Sequence, residues 1–347
     1  MVRIGCVDGD GIGPELMDST REILRAAAEL DGVELSFGQE SGGAGTYLAT
    51  GEPLAPGALE RFRTDYDAVL KGPVGLPEVR KPDGTEAGVL GGVLRNGLDT
   101  FANVRPVRLL PGVPGTAERI DYVLVRENTK GLYLSRGSGV RNEHAASDQL
   151  LMTRAGVERV VRFAFETARG RRGAPEDGVR RVTCVDKSNV LRSFAFFRDV
   201  FDEIAAAYPD IEAEHRYTDA AAHDLVADPG HFDVLVTENF VGDMLSDLGA
   251  ATVGGLGMCP AANIGDAAAY FEPAHGSAPG IAGQDRANPI SQVLSAVLLL
   301  EHLGLAGTAN RIASAVESAC ADGAIRLTGG VPEGGTKAAT AAITDRL

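Results

Sequence analysis

Residues 232–248 read Phe232-Asp-Val-Leu-Val-Thr-Glu-Asn-Phe-Val-Gly-Asp243-Met-Leu-Ser-Asp247-Leu248. Phe232 to Val236 is a short apolar, β-branched run that stops at Thr237-Glu-Asn, as a buried strand stops at a turn. Asp243 and Asp247 then stand four residues apart, so on a helix they share one face while Leu245 and Leu248 turn toward another. A buried strand leading directly into an amphipathic helix is the building unit of α/β proteins. Working outward, similar β-rich runs occupy Arg3 to Val7, Tyr66 to Leu70, Tyr122 to Val125 and Val182 to Val185, each followed within a few residues by Gly, Pro, Asn or Asp. Segments of helical period separate several of them, so the expected architecture is α/β with sheets covered on both faces.

Two helices can be placed individually. Val157, Val160, Val161, Ala164 and Ala168 fall on one face of a segment whose other side carries Glu158, Arg162 and Arg169. Pro289 stands where a helix starts, and Ile290, Val293, Leu294, Val297 and Leu298 recur behind it at helical spacing, which predicts a deeply buried helix. Gly137 to Gln149 is polar and keeps neither period, as an exposed loop or arm would.

Composition bounds the function. A chain of 347 residues predicts two domains or one large α/β unit. Its 33 Lys and Arg against 48 Asp and Glu leave a net charge of −15, which argues against nucleic acid and anionic membrane partners. Cys6, Cys184, Cys259 and Cys320 form no CxxC pair and no metal-ligand spacing, so small core residues in a reducing compartment, the cytoplasm, are expected. The apolar run Val297 to Leu300, like every other in the sequence, is far short of a membrane span, and the first residues lack the basic start and apolar core of a signal peptide.

Asp8-Gly-Asp-Gly-Ile-Gly-Pro14 invites a dinucleotide fingerprint, yet GxGxxG counted from Gly9 needs glycine where Pro14 stands. A turn with Pro14 opening a helix fits better, although its glycines also permit close approach of a cofactor. Most acidic pairs such as Asp243 and Asp247 are solvated helix faces. This pair follows a strand's carboxyl end, where α/β sites gather, and hard carboxylate oxygens suit Mg²⁺ or Mn²⁺. Arg95, Arg105, Arg108 and Arg126 are concentrated in an acidic protein; several beside a metal would serve a substrate with more than one carboxylate, since guanidinium binds carboxylate bidentately. Lys187 follows the strand ending at Asp186, and Tyr133 follows Arg126 by seven residues, making them candidates for accepting and donating a proton.

These residues, in this order, resemble the metal-dependent β-decarboxylating dehydrogenases, the isocitrate, isopropylmalate, homoisocitrate and tartrate dehydrogenase family. The resemblance runs nearly end to end. Its blocks are the Gly-Asp-Gly-Ile-Gly-Pro turn, Leu94-Arg95 with Phe101-Ala-Asn-Val-Arg-Pro106, Arg126-Glu-Asn-Thr-Lys-Gly-Leu-Tyr133, Asp186-Lys-Ser-Asn-Val-Leu191, Thr237 to Asp247, and Phe271-Glu-Pro-Ala-His-Gly-Ser-Ala-Pro279. It implies two α/β domains with mixed parallel and antiparallel sheets and not a Rossmann fold. Residues 1–100 and 253–347 would form the cofactor domain, and residues 101–252 the substrate, metal and dimerisation domain, with a protruding arm near 135–150.

The resemblance further implies that Arg95, Arg105 and Arg126 bind the malate carboxylates. Asp243, Asp247 and, from the partner of a homodimer, Asp219 would hold the metal, with Lys187 also crossing the interface. Lys187 would accept the C2 hydroxyl proton, hydride would pass to nicotinamide, and Tyr133 would protonate the carbon that loses CO₂. Glu272, His275, Gly276, Ser277, Ala278, Pro279, Gly280, Ile281 and Asn288 would line the cofactor.

The chain departs from the family in two places. Gly280 and Ile281 replace both the Asp that NAD-using members carry after Gly-Ser-Ala-Pro and the Lys-Tyr pair of NADP-using members; NAD is expected, with Arg286 leaving NADP as the alternative. Gly88, Gly91 and Gly92 stand where isopropylmalate enzymes place Glu and two Leu, and Val89 and Gly91 where isocitrate enzymes place Ser and Asn. Lys130 replaces the usual Glu, Asp or Gly; if it faces the substrate it adds a site for a third anionic group. The expected substrate is therefore a 3-substituted malate whose substituent is polar or anionic, as in isocitrate, homoisocitrate or a phosphonate analogue, with 3-isopropylmalate the alternative. A noncatalytic regulatory subunit is a weaker reading, because the metal and proton-transfer positions are all appropriately filled.

Overall fold

The structure, a computed structural model, describes residues 1–82 and 84–347. In chain order its strands are β1 (Val2–Val7), β2 (Leu35–Glu40), β3 (Ala68–Lys71), β4 (Ala102–Arg108), β5 (Asp121–Glu127), β6 (Val140–Arg141), β7 (Ala146–Ser147), β8 (Arg181–Asp186), β9 (Glu212–Tyr217), β10 (Val234–Thr237), β11 (Pro260–Ile264), β12 (Ala269–Pro273), β13 (Leu327–Thr328) and β14 (Val331–Pro332). The helices are α1 (Gly13–Leu30), α2 (Ala44–Thr50), α3 (Ala58–Thr64), α4 (Gly91–Gly97), α5 (Arg154–Gly170), α6 (Arg192–Ala205), α7 (Thr218–Ala227), α8 (Asn239–Thr252), α9 (Ile290–His302), α10 (Ala306–Ala321) and α11 (Gly335–Thr344). The chain divides into two compact units, Met1–Asp99 with Leu110–Pro114 and Gly254–Leu347, and Thr100–Leu109 with Gly115–Val253.

In the first unit the strand order is β2-β1-β3-β12-β11. β1 runs parallel to β2 and β3, and β12 is parallel to β3 but antiparallel to β11. Pro14 opens α1 in its first turn, where its missing N–H costs nothing. Asp10, 7% exposed, ties the preceding turn down by accepting the amides of Ala44 at 2.7 Å, Gly45 at 2.9 Å and Gly75 at 2.7 Å. The glycines of that turn admit the protein's own backbone. A Cβ on Gly11 (φ +58°) would lie 2.0 Å from the Ser277 carbonyl oxygen, which accepts the Ile12 amide. Helix α9 is buried along nearly its whole length behind Pro289, as its apolar spacing predicts.

In the second unit the order is β4-β5-β10-β8-β9. β5, β10, β8 and β9 are parallel, and β4 is antiparallel to β5. Every residue of β8 and β10 is buried, which explains why these strands read as continuous rather than alternating runs. α5 is capped by Thr153, whose hydroxyl accepts the Gly156 amide, and it buries Val157, Val160, Val161, Ala164, Phe165 and Ala168. The segment without periodicity forms the short antiparallel pair β6 and β7, exposed at every residue. No helix among the described residues is long and apolar enough to cross a membrane. The mixed sheet, with no glycine fingerprint at its first turn, is the α/β arrangement that the resemblance implied.

Candidate active site

The carboxyl ends of parallel strands expose backbone groups and helix N-termini, and ligands gather there. In the second unit Arg126 lies near the end of β5, Glu238 follows β10, Lys187 follows β8 and Thr218 follows β9. Glu238 caps α8 by accepting the amides of Phe240 at 2.9 Å and Val241 at 3.1 Å, and this sets Asp243 and Asp247 on one face of the helix.

Arg126 is 1% exposed and must be fully paired to be buried there. Its Nε donates to Asn239 Oδ1 at 2.9 Å, and its Nη1 forms an ion pair with Asp243 Oδ1. The other Asp243 oxygen accepts the Tyr133 hydroxyl at 2.6 Å. The Arg126 guanidinium also lies 5.6 Å from the centre of the Tyr133 ring, and Phe240 packs edge-on against that ring at 5.8 Å. Arg105, on β4, is buried too; its Nε donates to Asn103 Oδ1 at 3.0 Å while its Nη1 has no hydrogen-bond partner among the described residues. A buried guanidinium nitrogen without a protein partner can still donate a hydrogen bond. Burial pushes the Asp247 carboxyl up from its ordinary value; Arg105 opposes this, Asp243 adds to it, and Arg126 opposes it again.

Lys187 and Asp219 lie together on the same unit. Their side chains form an ion pair, and that hydrogen bond holds the Asp219 carboxyl below its ordinary value. The Lys187 ammonium stands 5.7 Å from the centre of the Tyr217 ring. Among the described residues no three His, Cys, Asp or Glu side chains come together as a metal site, so Asp219 does not join Asp243 and Asp247 within one chain. The Lys130 stem runs against the start of α5, where a Cβ on Gly156 would lie 3.4 Å from its Cγ, and its amine donates to Thr129 Oγ1 at 3.4 Å. The buried Glu127 carboxylate beneath it accepts the Thr129 and Lys130 amides and the Thr129 hydroxyl, and burial raises its pKa.

The remaining sites from the sequence lie in the first unit. Arg95 is in the last turn of α4, with Gly91 and Gly92 opening that helix. Gly88 (φ +76°) is filled from its own side: a Cβ there would lie 2.3 Å from the Ala44 Cα. Glu272 is engaged by Lys71 at 2.7 Å and by Asn263 Nδ2 at 3.0 Å. Desolvation lowers the His275 imidazole pKa, and its Nδ1 is 2.9 Å from the Gly276 carbonyl oxygen. Ser277 is buried and donates to the Gly75 carbonyl. Ala278 adopts φ +37° and leads into the turn Pro279–Ile281, where Ile281 packs on Ile12, Leu16 and Ala287. Asn288 Oδ1 accepts the Ile290 amide at 3.1 Å at the start of α9.

These residues fit the groups that the resemblance implied. Two carboxylates one helical turn apart, beside a buried arginine with an unpaired nitrogen, are the hard oxygen donors that Mg²⁺ or Mn²⁺ takes. Along the loop, a Cβ at Gly276 or Gly280 would meet nothing within 4 Å, so the protein itself leaves this backbone uncovered. Sequence reasoning missed Asn239, Glu238, Glu127 and Asp10. All four lie inside the matched blocks, and for the first three a buried polar residue flanking a candidate ligand is the signal that would have found them.

Residues 3–347 match the isocitrate/isopropylmalate dehydrogenase family. The chain is 42% identical to the 3-isopropylmalate dehydrogenase of a Synechococcus species over 92% of its own length and 86% of the relative's. It is also 42% identical to the 3-isopropylmalate/3-methylmalate dehydrogenase of Methanocaldococcus jannaschii, covering 93% of this chain and 92% of that one. The crystal structure of isocitrate dehydrogenase from Methylococcus capsulatus superposes with a TM-score of 0.89 at 36% identity, over 100% of this chain and 99% of the other. With this fold and these side chains, the protein is an oxidoreductase of the β-decarboxylating type. The chain belongs to the isocitrate/isopropylmalate dehydrogenase family, whose members are NAD(P)-dependent.

Proposed function

We propose that this enzyme oxidatively decarboxylates a 3-alkyl-substituted malate of the 3-isopropylmalate type, with NAD as hydride acceptor and Mg²⁺ or Mn²⁺ bound. The observation that carries the reaction is the cluster in which buried Arg126 and half-buried Tyr133 meet on half-buried Asp243, with buried Arg105 in the same unit. The substituent follows from the relatives, which are named for isopropylmalate, and this favours the alkyl reading over the polar or anionic one expected from Gly88, Gly91, Gly92 and Lys130. Two contacts support the change. Gly88 is needed where backbone packs on it, and the Lys130 stem is laid along α5. Glycines at the start of α4, and the isocitrate dehydrogenase resemblance in structure, keep a tricarboxylate as the second reading.

In the proposed reaction Arg95, Arg105 and Arg126 bind and orient the malate carboxylates. Asp243 and Asp247, with Asp219 of a second copy, would hold the cation, which when bound would supply charge stabilisation at the C2 oxygen, and a bound nicotinamide would supply the acceptor for the C2 hydrogen. Lys187 of that second copy accepts the hydroxyl proton, and the Tyr133 hydroxyl delivers a proton to C3 after CO₂ departs. The homodimer is supported by exposed Val190, Leu191, Val226, Phe240 and Met244 on this unit, and by Asp219 not grouping with Asp243 and Asp247 among the described residues of one chain. Residues His275 to Ile281 would hold the cofactor. Four buried thiols without a disulfide support the cytoplasm as the compartment.

The test is absorbance at 340 nm with Mn²⁺ and either NAD or NADP, across 3-isopropylmalate, isocitrate, homoisocitrate, tartrate, malate and phosphonomethylmalate. Fastest turnover of 3-isopropylmalate with NAD is expected. An anionic-substituent substrate ahead of it overturns the alkyl reading, and no turnover of any of them overturns the reaction.

A further inference from the structure

We propose that Asn239 is a positioning residue: its side-chain amide sets both the attitude of the Arg126 guanidinium and the loop that presents Tyr133. The inference rests on the functional reading above, because it assigns Asn239 a part in that reaction without contact to substrate or cofactor.

Asn239 is the first residue of α8 and is 2% exposed. Its Oδ1 accepts from Arg126 Nε at 2.9 Å, and its Nδ2 donates to the Lys130 carbonyl oxygen at 2.8 Å. Arg126 Nε can only donate and the Lys130 carbonyl can only accept, so one orientation of the amide satisfies both. No other side chain of this size does so: aspartate lacks the donor, and leucine lacks both groups.

The same helix start holds the loop at a second point, because Glu238 Oε1 accepts the Leu132 amide at 3.2 Å. Between these two ties lies Gly131 at φ +82°, where a Cβ would stand 2.9 Å from the Asn239 Cβ, so the loop is pressed against the helix. Asn239 and Asp243 are one helical turn apart on one face, and Arg126 spans them with Nε on the first and Nη1 on the second. Tyr133, two residues beyond the Gly131 contact, closes the circuit on the other Asp243 oxygen. Removing the amide therefore frees the guanidinium to roll about its own axis and unties one end of the Tyr133 loop.

The experiment compares wild type, Asn239→Asp, Asn239→Ala, Arg126→Lys and the Asn239→Ala/Arg126→Lys double variant, each checked for an unchanged melting temperature. With the best substrate found above, Asn239→Ala is expected to lower kcat about 100-fold, the scale of misplacing a catalytic group by an ångström. Asn239→Asp keeps the Arg126 contact and is expected to spare KM while still lowering kcat. Lysine has no Nε at that point, so in the Arg126→Lys background the further loss from Asn239→Ala is expected to fall several-fold, to about 10-fold, the part carried by the loop. Full additivity, or unchanged kcat in Asn239→Ala, overturns the inference. Hydrogen exchange over residues 130–133, read by mass spectrometry, needs no turnover: Asn239→Ala is expected to speed it about tenfold with α5 unchanged, and equal exchange overturns the inference even in a variant whose melting temperature falls. Absence of turnover in wild type refutes the functional reading alone, and the exchange result then decides the structural claim.

Discussion

The Tyr133 hydroxyl and the Arg126 guanidinium hold the same carboxylate: Tyr133 donates to one oxygen of Asp243 at 2.6 Å, and Arg126 pairs with the other. The proposed proton donor, the proposed substrate-binding cation and a proposed metal ligand thus form one hydrogen-bonded group, so their effects on the reaction should separate by step rather than by location.

Replacing Tyr133 by Phe keeps the ring packed on Phe240 and Arg126 but removes the proton. The expected result is a fall in kcat of about 10² to 10³ with KM for the malate substrate changed only a few-fold. Arg105→Gln should do the reverse, raising KM about 10- to 100-fold through the loss of a charged hydrogen bond. Steady-state kinetics on the two variants distinguish the roles; equal effects of both on kcat and KM would remove the distinction.

Lys187 pairs with Asp219, and among the described residues Asp219 does not group with Asp243 and Asp247 as a metal site. If the site is shared between copies, Lys187→Ala and Asp247→Asn are each inactive, but mixing them with denaturation and renaturation should recover about a quarter of wild-type activity, since half the dimers are mixed and each has one intact site. A mixture as inactive as its components would mean that each chain carries its whole site.

Asp10 satisfies three backbone amides drawn from residues 44, 45 and 75. Asp10→Ala leaves those donors unpaired at a buried position, and a loss of about 3 kcal/mol of unfolding free energy is expected. Urea unfolding measures it, and a loss below about 1 kcal/mol would mean that water or relaxation replaces the carboxylate.

Burial pushes the thiols of Cys6 and Cys320 up to about 11 and that of Cys184 up as well. The folded protein therefore keeps these protons at pH values where the unfolded chain releases them. Their contribution to stability is fully present below the ordinary thiol pKa, and it is lost as pH rises through about 9 toward 11. The melting temperature should decline over that window and the decline should soften in Cys320→Ala. Alkylation by iodoacetamide at pH 8 should be slow until denaturant is added; fast labelling of the native protein would contradict the burial.

Periodicity and local chemistry determined much of this protein from the sequence. The strand within Phe232 to Val236, the helix carrying Asp243 and Asp247, the α5 face from Val157 to Ala168 and the start of α9 behind Pro289 all follow from spacing, because a side chain's direction repeats with the backbone. The ordered blocks from Leu94 to Pro279 carried the family, since they place reactive residue types at strand ends in one succession. Contacts between residues more than a hundred positions apart were decided by tertiary structure alone. Arg126 meets Asp243 and Asn239 because β5 and β10 run side by side in parallel. Gly11 is required because the Ser277 carbonyl arrives against it, and Gly88 because Ala44 does, where spacing alone suggested room for a ligand. Local sequence fixes which way a side chain points along its own element; only the packed sheet fixes which element it meets, and that is where these buried polar groups find their partners.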